Sequence, residues 1–226
     1  MFKHLILSLV TVSAFAGEES AKSAEKKEEK VKKDVTKEAK KEEKAVKKLT
    51  SYKCKKVEKV KFEVEVEGKK KNFTVEVFGD KTPKTCENFL LYVKNGFYDN
   101  LIFHRVVNEF VVQGGGFSKN MEKKETRKAI KNEGCPYKLP NVCNAKYTLA
   151  MARLQDPHSA TSQFYINTKD NGMLDSYAGN AYTVFGKVAD GKPVVDEIGK
   201  VKVGMRNGMR DVPVNPVTIT KATHLK

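Results

Sequence analysis

The sequence predicts a mainly β fold, a closed antiparallel β-barrel in which strands outnumber helices. Short apolar segments of strand length recur from about residue 61 to residue 222, and clusters of Gly, Pro and Asn separate them. Only two segments carry a helical pattern. The stretch 57–226 has the size of one domain with its own hydrophobic core.

A hairpin opens the predicted barrel. Apolar residues alternate with charged ones over 61–67, and the alternation returns over 73–78 after a turn at 68–72. A helix follows, with Thr82-Pro83 at its N-terminus, where Thr82 is the expected cap, and with Gly96 as its stop. The buried stripe of this helix is expected to consist of Cys86, Phe89, Leu90 and Val93.

The rest of the chain continues the strand pattern. Further strands are predicted over 101–106, 110–113, 147–152, 163–167, 182–188 and 216–222, with a second helix over 193–198.

One run carries the functional information. Arg105, Phe110 and Gln113 stand at strand spacing before the triple glycine 114–116. Residues an even number of positions apart share a face of a strand, so Arg105 and Phe110 fall on opposite faces of one continuous strand. For both side chains to line one cleft, the chain must turn or bulge between them, and Asn108-Glu109 is the natural place.

The run from Phe103 to Phe117 resembles the active-site signature of the cyclophilin-type peptidyl-prolyl cis-trans isomerases, in the form of the bacterial periplasmic branch. Further motifs occur in the order and spacing of that family, and the resemblance covers about residues 57–221. It implies eight strands capped by two helices, with the active cleft on the outer face of the barrel. The matching motifs are 96–100, 151–153, 159–167, 174–175 and 184–188.

The resemblance implies an enzyme that accelerates rotation about X-Pro bonds in proline-containing polypeptides. Rotation breaks no bond, so we expect neither a cofactor nor a metal ion. Arg105 has only hydrogen-bond donors and a permanent charge, which suits it to stabilise the twisted amide. Phe110 and Gln113 complete the expected catalytic set. The expected substrate-binding residues are Val111, Ala152, Arg153, Gln163, Tyr165, Met173, Leu174 and Tyr182.

The chain departs from the best-known eukaryotic members at the pocket. Met173 stands where they have Trp, and Tyr182 stands where they have His. Because the indole N–H is missing, we expect weak inhibition by cyclosporin. His104 lies beside Arg105, but rotation moves no proton, so we interpret His104 as a buried structural residue.

The N-terminal segments predict export. Residues 1–16 have the charged start, short apolar run and small-x-small end of a signal peptide cleaved after Ala16, which points to the periplasm. A buried helix is the alternative. Residues 17–56 are expected to be a helical or disordered Lys/Glu-rich spacer, with a coiled coil over its faint apolar stripe as the alternative.

The four cysteines are an even set, which an exported chain can pair in three ways. Cys135 and Cys143 are close in sequence and are the favoured pair. Cys86 lies on the apolar face of the predicted helix, where a core position is the alternative to pairing. Zinc is less well supported, because no pair of Cys-x-x-Cys elements occurs. A thiol enzyme using Cys135 with His158 lacks a nucleophile-base signature.

A formal net charge of +15 points to anionic cell-envelope surfaces as a further partner. Nucleic acid is not expected, because no nucleic-acid-binding motif with interleaved aromatic residues occurs. We expect a monomer that accelerates the folding of exported proteins. A non-catalytic chaperone or scaffold of the same fold, which grips proline-containing segments, is the alternative function.

Overall fold

The structure, a computed structural model, describes residues 49–134, 143–175 and 181–226. The ten strands of this part of the chain are β1 (Val57–Val66), β2 (Lys69–Phe78), β3 (Leu101–Val107), β4 (Val111–Ser118), β5 (Thr148–Met151), β6 (Phe164–Asn167), β7 (Val184–Asp190), β8 (Val203–Arg206), β9 (Met209–Pro213) and β10 (Thr218–Leu225). Its helices are α1 (Pro83–Lys94) and α2 (Lys192–Ile198), with a 3-10 turn at Gly172–Asp175. None of these helices is both long and apolar enough to cross a membrane.

Eight of the strands close into an antiparallel barrel, as predicted. Around the barrel they run in the order β1-β10-β3-β4-β6-β5-β7-β2. The alternation of β1 sends Phe62 and Val64 to the interior with no exposed surface, and α1 adds Phe89 and Leu90 to the same core. The aromatic rings of Phe62 and Phe73 stack there with centroids 5.1 Å apart.

The turn between β1 and β2 is tighter than expected. Val66 pairs with Lys69, so the turn consists of Glu67 and Gly68, both with positive φ, and β2 begins at Lys69. The Lys-rich residues 69–72, which suggested a loop, extend the strand instead.

Helix α1 is capped in a different way from the prediction. Thr82 makes no capping hydrogen bond; its hydroxyl donates to the carbonyl oxygen of Phe78 at 2.9 Å. The carboxylate of Glu133 caps the helix from a distant loop, accepting from the backbone N–H of Lys84 at 3.1 Å and of Thr85 at 2.8 Å. A carboxylate at a helix N-terminus satisfies free N–H groups and complements the helix dipole.

Residues 49–56, which the sequence assigned to the spacer over 17–56, belong to the folded domain; the rest of that predicted spacer lies outside the described residues. The main chain of Leu49 donates to the Asn95 side chain at 2.8 Å and accepts from it at 3.0 Å. A disulfide joins Cys54 to Cys86 of α1, with 6.3 Å between their Cα atoms, so Cys86 is not a free core thiol. Cys135 lies outside the described residues, and its pairing with Cys143 stays a prediction.

Glu58 ties the same segment to the barrel. Its buried carboxylate accepts hydrogen bonds from the Tyr52 hydroxyl, from the Lys55 backbone N–H and from His224 Nε2, each at 2.8 Å. Burial alone would raise the pKa of Glu58, but these hydrogen bonds hold it below its usual value. Burial and the neighbouring carboxylate raise the pKa of Tyr52 to about 12.

Strands β8 and β9 form a two-stranded hairpin beside the barrel, which was not among the predicted elements. Asn207 and Gly208, both with positive φ, make its turn, and Arg206 pairs with Met209 on either side. An Asn-Gly pair is a strong hairpin signal and was available in the sequence.

Candidate functional site

The site is built on the β3–β4 hairpin. Arg105 on β3 pairs directly with Gln113 on β4, so the two side chains project from the same face of the sheet. The chain turns between β3 and β4 at Asn108-Glu109-Phe110, where Glu109 adopts a φ of +49°. This turn resolves the mismatch in parity between Arg105 and Phe110 at the place where the sequence predicted it.

The apolar floor of the site is a cluster separate from the barrel core. Val111, Leu174 and Tyr165 are buried in it, at 2%, 8% and 4% exposure, and the half-buried Phe110 packs against them. Leu174 is placed by the 3-10 turn Gly172–Asp175. The floor offers an apolar surface to a proline ring.

Two glutamine side chains, Gln113 and Gln163, are hydrogen-bonded to each other at one side of the site. Gln113 Nε2 donates to Gln163 Oε1 at 3.0 Å. The side chain of Gln163 occupies the space beside Gly116, where an added Cβ would lie 2.6 Å from Gln163 Nε2. The glycine run therefore makes room for the side chain that holds Gln113.

Arg153 and Tyr182 form a further wall of the site. The guanidinium carbon of Arg153 lies 4.4 Å from the centre of the Tyr182 ring, a cation–π contact. Arg153 Nη1 also donates to the carbonyl oxygens of Leu154 at 2.9 Å and Gln155 at 3.1 Å. The Tyr182 ring meets the Tyr165 ring edge to face, with centroids 5.8 Å apart.

Buried hydrogen bonds hold Tyr165 in place through Asn144 and Asp175. The Tyr165 hydroxyl donates to Asn144 Oδ1 at 2.8 Å, and Asn144 Nδ2 donates to Asp175 at 2.7 Å. Burial raises the pKa of Tyr165 well above its ordinary value, so its hydroxyl keeps the proton that it donates. The sequence pointed to Asp175 only as part of a motif and did not suggest Asn144.

These side chains enclose a cavity of about 220 Å³. It is lined by Arg105, Phe110, Val111, Gln113, Ala152, Arg153, Tyr165, Leu174 and Tyr182. Gln163 is not part of the lining and reaches the site through Gln113. Met173, expected in the pocket, is not part of the lining either: its side chain is 72% exposed, because the 3-10 turn directs Leu174 inward instead.

His104 lies on the buried side of β3, behind Arg105. It is 1% exposed, its ring packs against Phe117 with centroids 4.7 Å apart, and its Nδ1 has no hydrogen-bond partner among the described residues. Burial, assisted by the adjacent charge of Arg105, lowers the pKa of His104 to about 4. His104 is therefore neutral at pH 7.

Asp211 is a neighbour of the site that the sequence did not reveal. Its Oδ2 lies 3.9 Å from Arg105 Nε. It lies on β9, in the hairpin that was not among the predicted elements. The Asn-Gly turn could have located the hairpin, but no sequence signal placed this carboxylate beside Arg105.

The cavity offers an apolar floor, the guanidinium groups of Arg105 and Arg153, and the amide of Gln113 as hydrogen-bond donor and acceptor. Such an arrangement can hold a proline ring, fix the flanking peptide and stabilise a pyramidal amide nitrogen. Within 49–134, 143–175 and 181–226, no three His, Cys, Asp or Glu side chains cluster so as to hold a metal ion.

Comparison with known proteins gives a consistent result. Residues 61–224 match the family model described as cyclophilin type peptidyl-prolyl cis-trans isomerase/CLD. A peptidyl-prolyl cis-trans isomerase of Streptomyces antibioticus is 50% identical over 146 residues, which cover 63% of this chain and 86% of that protein. Peptidyl-prolyl cis-trans isomerase B of Escherichia coli is 48% identical over 157 residues, covering 67% of this chain and 93% of that protein.

The fold also has a counterpart among solved structures. The crystal structure of a cyclophilin type peptidyl-prolyl cis-trans isomerase from Cryptosporidium parvum matches with a TM-score of 0.59 and 23% identity. The match covers 75% of this chain and 98% of that chain. At this identity the likeness bears on the fold, and it confirms the predicted barrel with two helices.

Proposed function

The chain belongs to the cyclophilin-type peptidyl-prolyl cis-trans isomerases and catalyses cis-trans isomerisation of X-Pro bonds, and from this premise we propose which residues carry the reaction and where it takes place. Arg105 is the proposed catalytic residue, Phe110 holds the proline ring, and Gln113 fixes the peptide backbone. One observation supports this assignment most: Arg105 and Gln113 are a cross-strand pair facing the same cavity as Phe110.

The proposed mechanism is electrostatic. The barrier of ~18–20 kcal/mol to rotation comes from amide resonance, which places the lone pair of the prolyl nitrogen in the C–N bond. As the bond twists, the lone pair localises on nitrogen. The guanidinium of Arg105 donates a hydrogen bond to it and cannot lose its proton to it, so the twisted state is stabilised more than the planar one.

The remaining residues of the cavity bind rather than react. Phe110, Val111, Ala152 and Leu174 hold the ring by apolar contact, while Gln113, held by Gln163, binds the amide that stays fixed during rotation. Arg153, Tyr165 and Tyr182 form the wall along which the moving side of the peptide turns. Met173 has no place in this scheme, since its side chain lies outside the lining.

The test is Arg105→Ala in a protease-coupled peptide isomerisation assay. We expect kcat/KM to fall at least about tenfold while circular dichroism shows an unchanged fold. Arg127→Ala is the matched control, an arginine outside the cavity that hydrogen-bonds the Thr50 carbonyl oxygen. Activity of the Arg105→Ala protein within twofold of wild type would show that Arg105 does not carry the reaction and would remove the proposed mechanism.

The proposed setting is the bacterial periplasm, where the enzyme accelerates folding of exported proteins. The signal-peptide pattern of residues 1–16 and the Cys54–Cys86 disulfide both support it, because disulfides persist in oxidising compartments. The relatives from Streptomyces antibioticus and Escherichia coli support the bacterial part of this proposal. The net charge of +15 supports an association with anionic cell-envelope surfaces.

Expression of the full chain in a Gram-negative host, followed by spheroplast fractionation and N-terminal sequencing, tests this setting. We expect the mature protein in the periplasmic fraction, starting at Gly17. Retention of the full-length chain in the cytoplasmic fraction would contradict it, without bearing on the isomerase activity.

A further inference from the structure

We propose that Asp211 is a positioning residue for Arg105, so that the β8–β9 hairpin contributes to isomerisation although Asp211 does not line the cavity. The inference rests on the function proposed above for Arg105. It deepens that function by assigning the group that orients the guanidinium.

The geometry of the pair favours orientation over hydrogen bonding. Asp211 Oδ2 lies 3.9 Å from Arg105 Nε, which is ion-pair distance but too long for a hydrogen bond. Nε is the guanidinium nitrogen nearest the aliphatic stem. A carboxylate on that side restrains the orientation of the planar guanidinium. Asp211 approaches Nε, so the contact does not involve the Nη groups at the far end of the side chain.

The backbone holds the carboxylate in place. Asp211 has a φ of +62°, a left-handed conformation that Asp tolerates better than most residues. The next residue, Val212, is 2% exposed and packs with Met121 and with Ile102, which lies on the same strand as Arg105. The position of the carboxylate relative to β3 is therefore fixed by packing and does not depend on a long mobile side chain.

A solvated surface ion pair is the competing interpretation. Both side chains are partly exposed, Arg105 at 37% and Asp211 at 42%, and pairs of this kind contribute little to stability. The Lys61–Glu63 pair on β1 has a similar distance, 3.5 Å, and similar exposure, 37% and 46%. The Arg105–Asp211 pair differs in that Arg105 lines the cavity. A small change in the orientation of its guanidinium would therefore alter the hydrogen bond to the reacting amide.

The test removes the charge and keeps the shape, with Asp211→Asn. We expect kcat/KM to fall about two- to fivefold, with the loss in kcat and little change in KM, because the twisted state depends on orientation more than the bound ground state does. The Nε–Hε resonance of Arg105 in ¹⁵N NMR spectra should shift. The matched control is Glu63→Gln, which removes the carboxylate of the comparable pair on β1 and should leave kcat unchanged.

A double variant separates positioning from a structural role. In an Arg105→Lys background the carboxylate has no guanidinium plane to orient, so Asp211→Asn should change kcat no further. An unchanged or raised kcat in the single variant, or an equal loss in the Arg105→Lys background, would overturn the inference. Neither result would touch the proposed function, which fails only if Arg105→Ala itself stays active.

Discussion

The buried imidazole of His104 makes a quantitative prediction about acid stability. His104 is 1% exposed, and its pKa is lowered from 6.5 to about 4, chiefly by burial. The unfolded chain therefore takes up a proton at a pH at which the folded protein does not. The contribution of His104 to the free energy of unfolding is fully present above pH 6.5 and is lost as the pH falls from 6.5 towards 4.

The size of the loss follows from the two pKa values. Linkage between protonation and folding gives a loss of about 2 kcal/mol at pH 5 and about 3 kcal/mol at pH 4, relative to pH 7. This is a large part of the stability of a small domain, typically ~5–15 kcal/mol. Below pH 4 both states are protonated, so the loss attributable to His104 levels off.

The assay is urea unfolding of wild type and His104→Gln at pH values between 7.5 and 4. Glutamine does not titrate, and any cost of repacking against Phe117 lowers its curve equally at every pH. Groups shared by both proteins, such as Glu58, cancel in the difference. We expect the wild-type advantage to shrink by about 3 kcal/mol from pH 7 to pH 4. Parallel curves for the two proteins would refute the reasoning.

Two further predictions concern the disulfide and the glycine run. The double variant Cys54→Ser/Cys86→Ser should lower the free energy of unfolding by about 3–4 kcal/mol, the loop-entropy estimate for a separation of 32 residues. Peptide turnover at about 25 °C should persist, and an unchanged denaturation midpoint would contradict the prediction. Gly116→Ala should displace the side chain of Gln163 and lower kcat/KM severalfold at near-normal stability. The control is Gly204→Ala, whose added Cβ would lie 3.6 Å from its nearest neighbour and which should keep full activity. Equal activity of the two alanine variants would show that Gln163 is not needed to hold Gln113.

Much of the barrel could be predicted because its strands carry a period of two. Residues 61–67 and 73–78 alternate plainly, and apart from Glu67, which belongs to the turn, both segments lie within the observed β1 and β2. Strand β4 was predicted to stop at residue 113 but continues to Ser118, because glycine carries no strand preference that a sequence can display. Long-range contacts could not be predicted for a different reason, because they depend on tertiary structure: nothing near Lys84 and Thr85 indicates that Glu133 caps α1.

For the site, local spacing gave the turn between Arg105 and Phe110, since parity within a strand is a local property. The exposure of Met173 could not be foreseen, because its orientation depends on the 3-10 turn that buries Leu174 instead. Asp211 was equally hidden. Its approach to Arg105 arises from the packing of Val212 beside Ile102, which is set by tertiary structure.

The closure of the barrel has a consequence for the order of folding. Strand β1 pairs with β2 on one side and with β10 on the other, and in the second pair Phe62 lies opposite Ala222. Closing a loop between residues so far apart in the chain costs more conformational entropy than forming the adjacent β1–β2 hairpin, so the β1–β10 pairing is expected to form late. Until it forms, one edge of β1 has no partner strand and can pair with another chain.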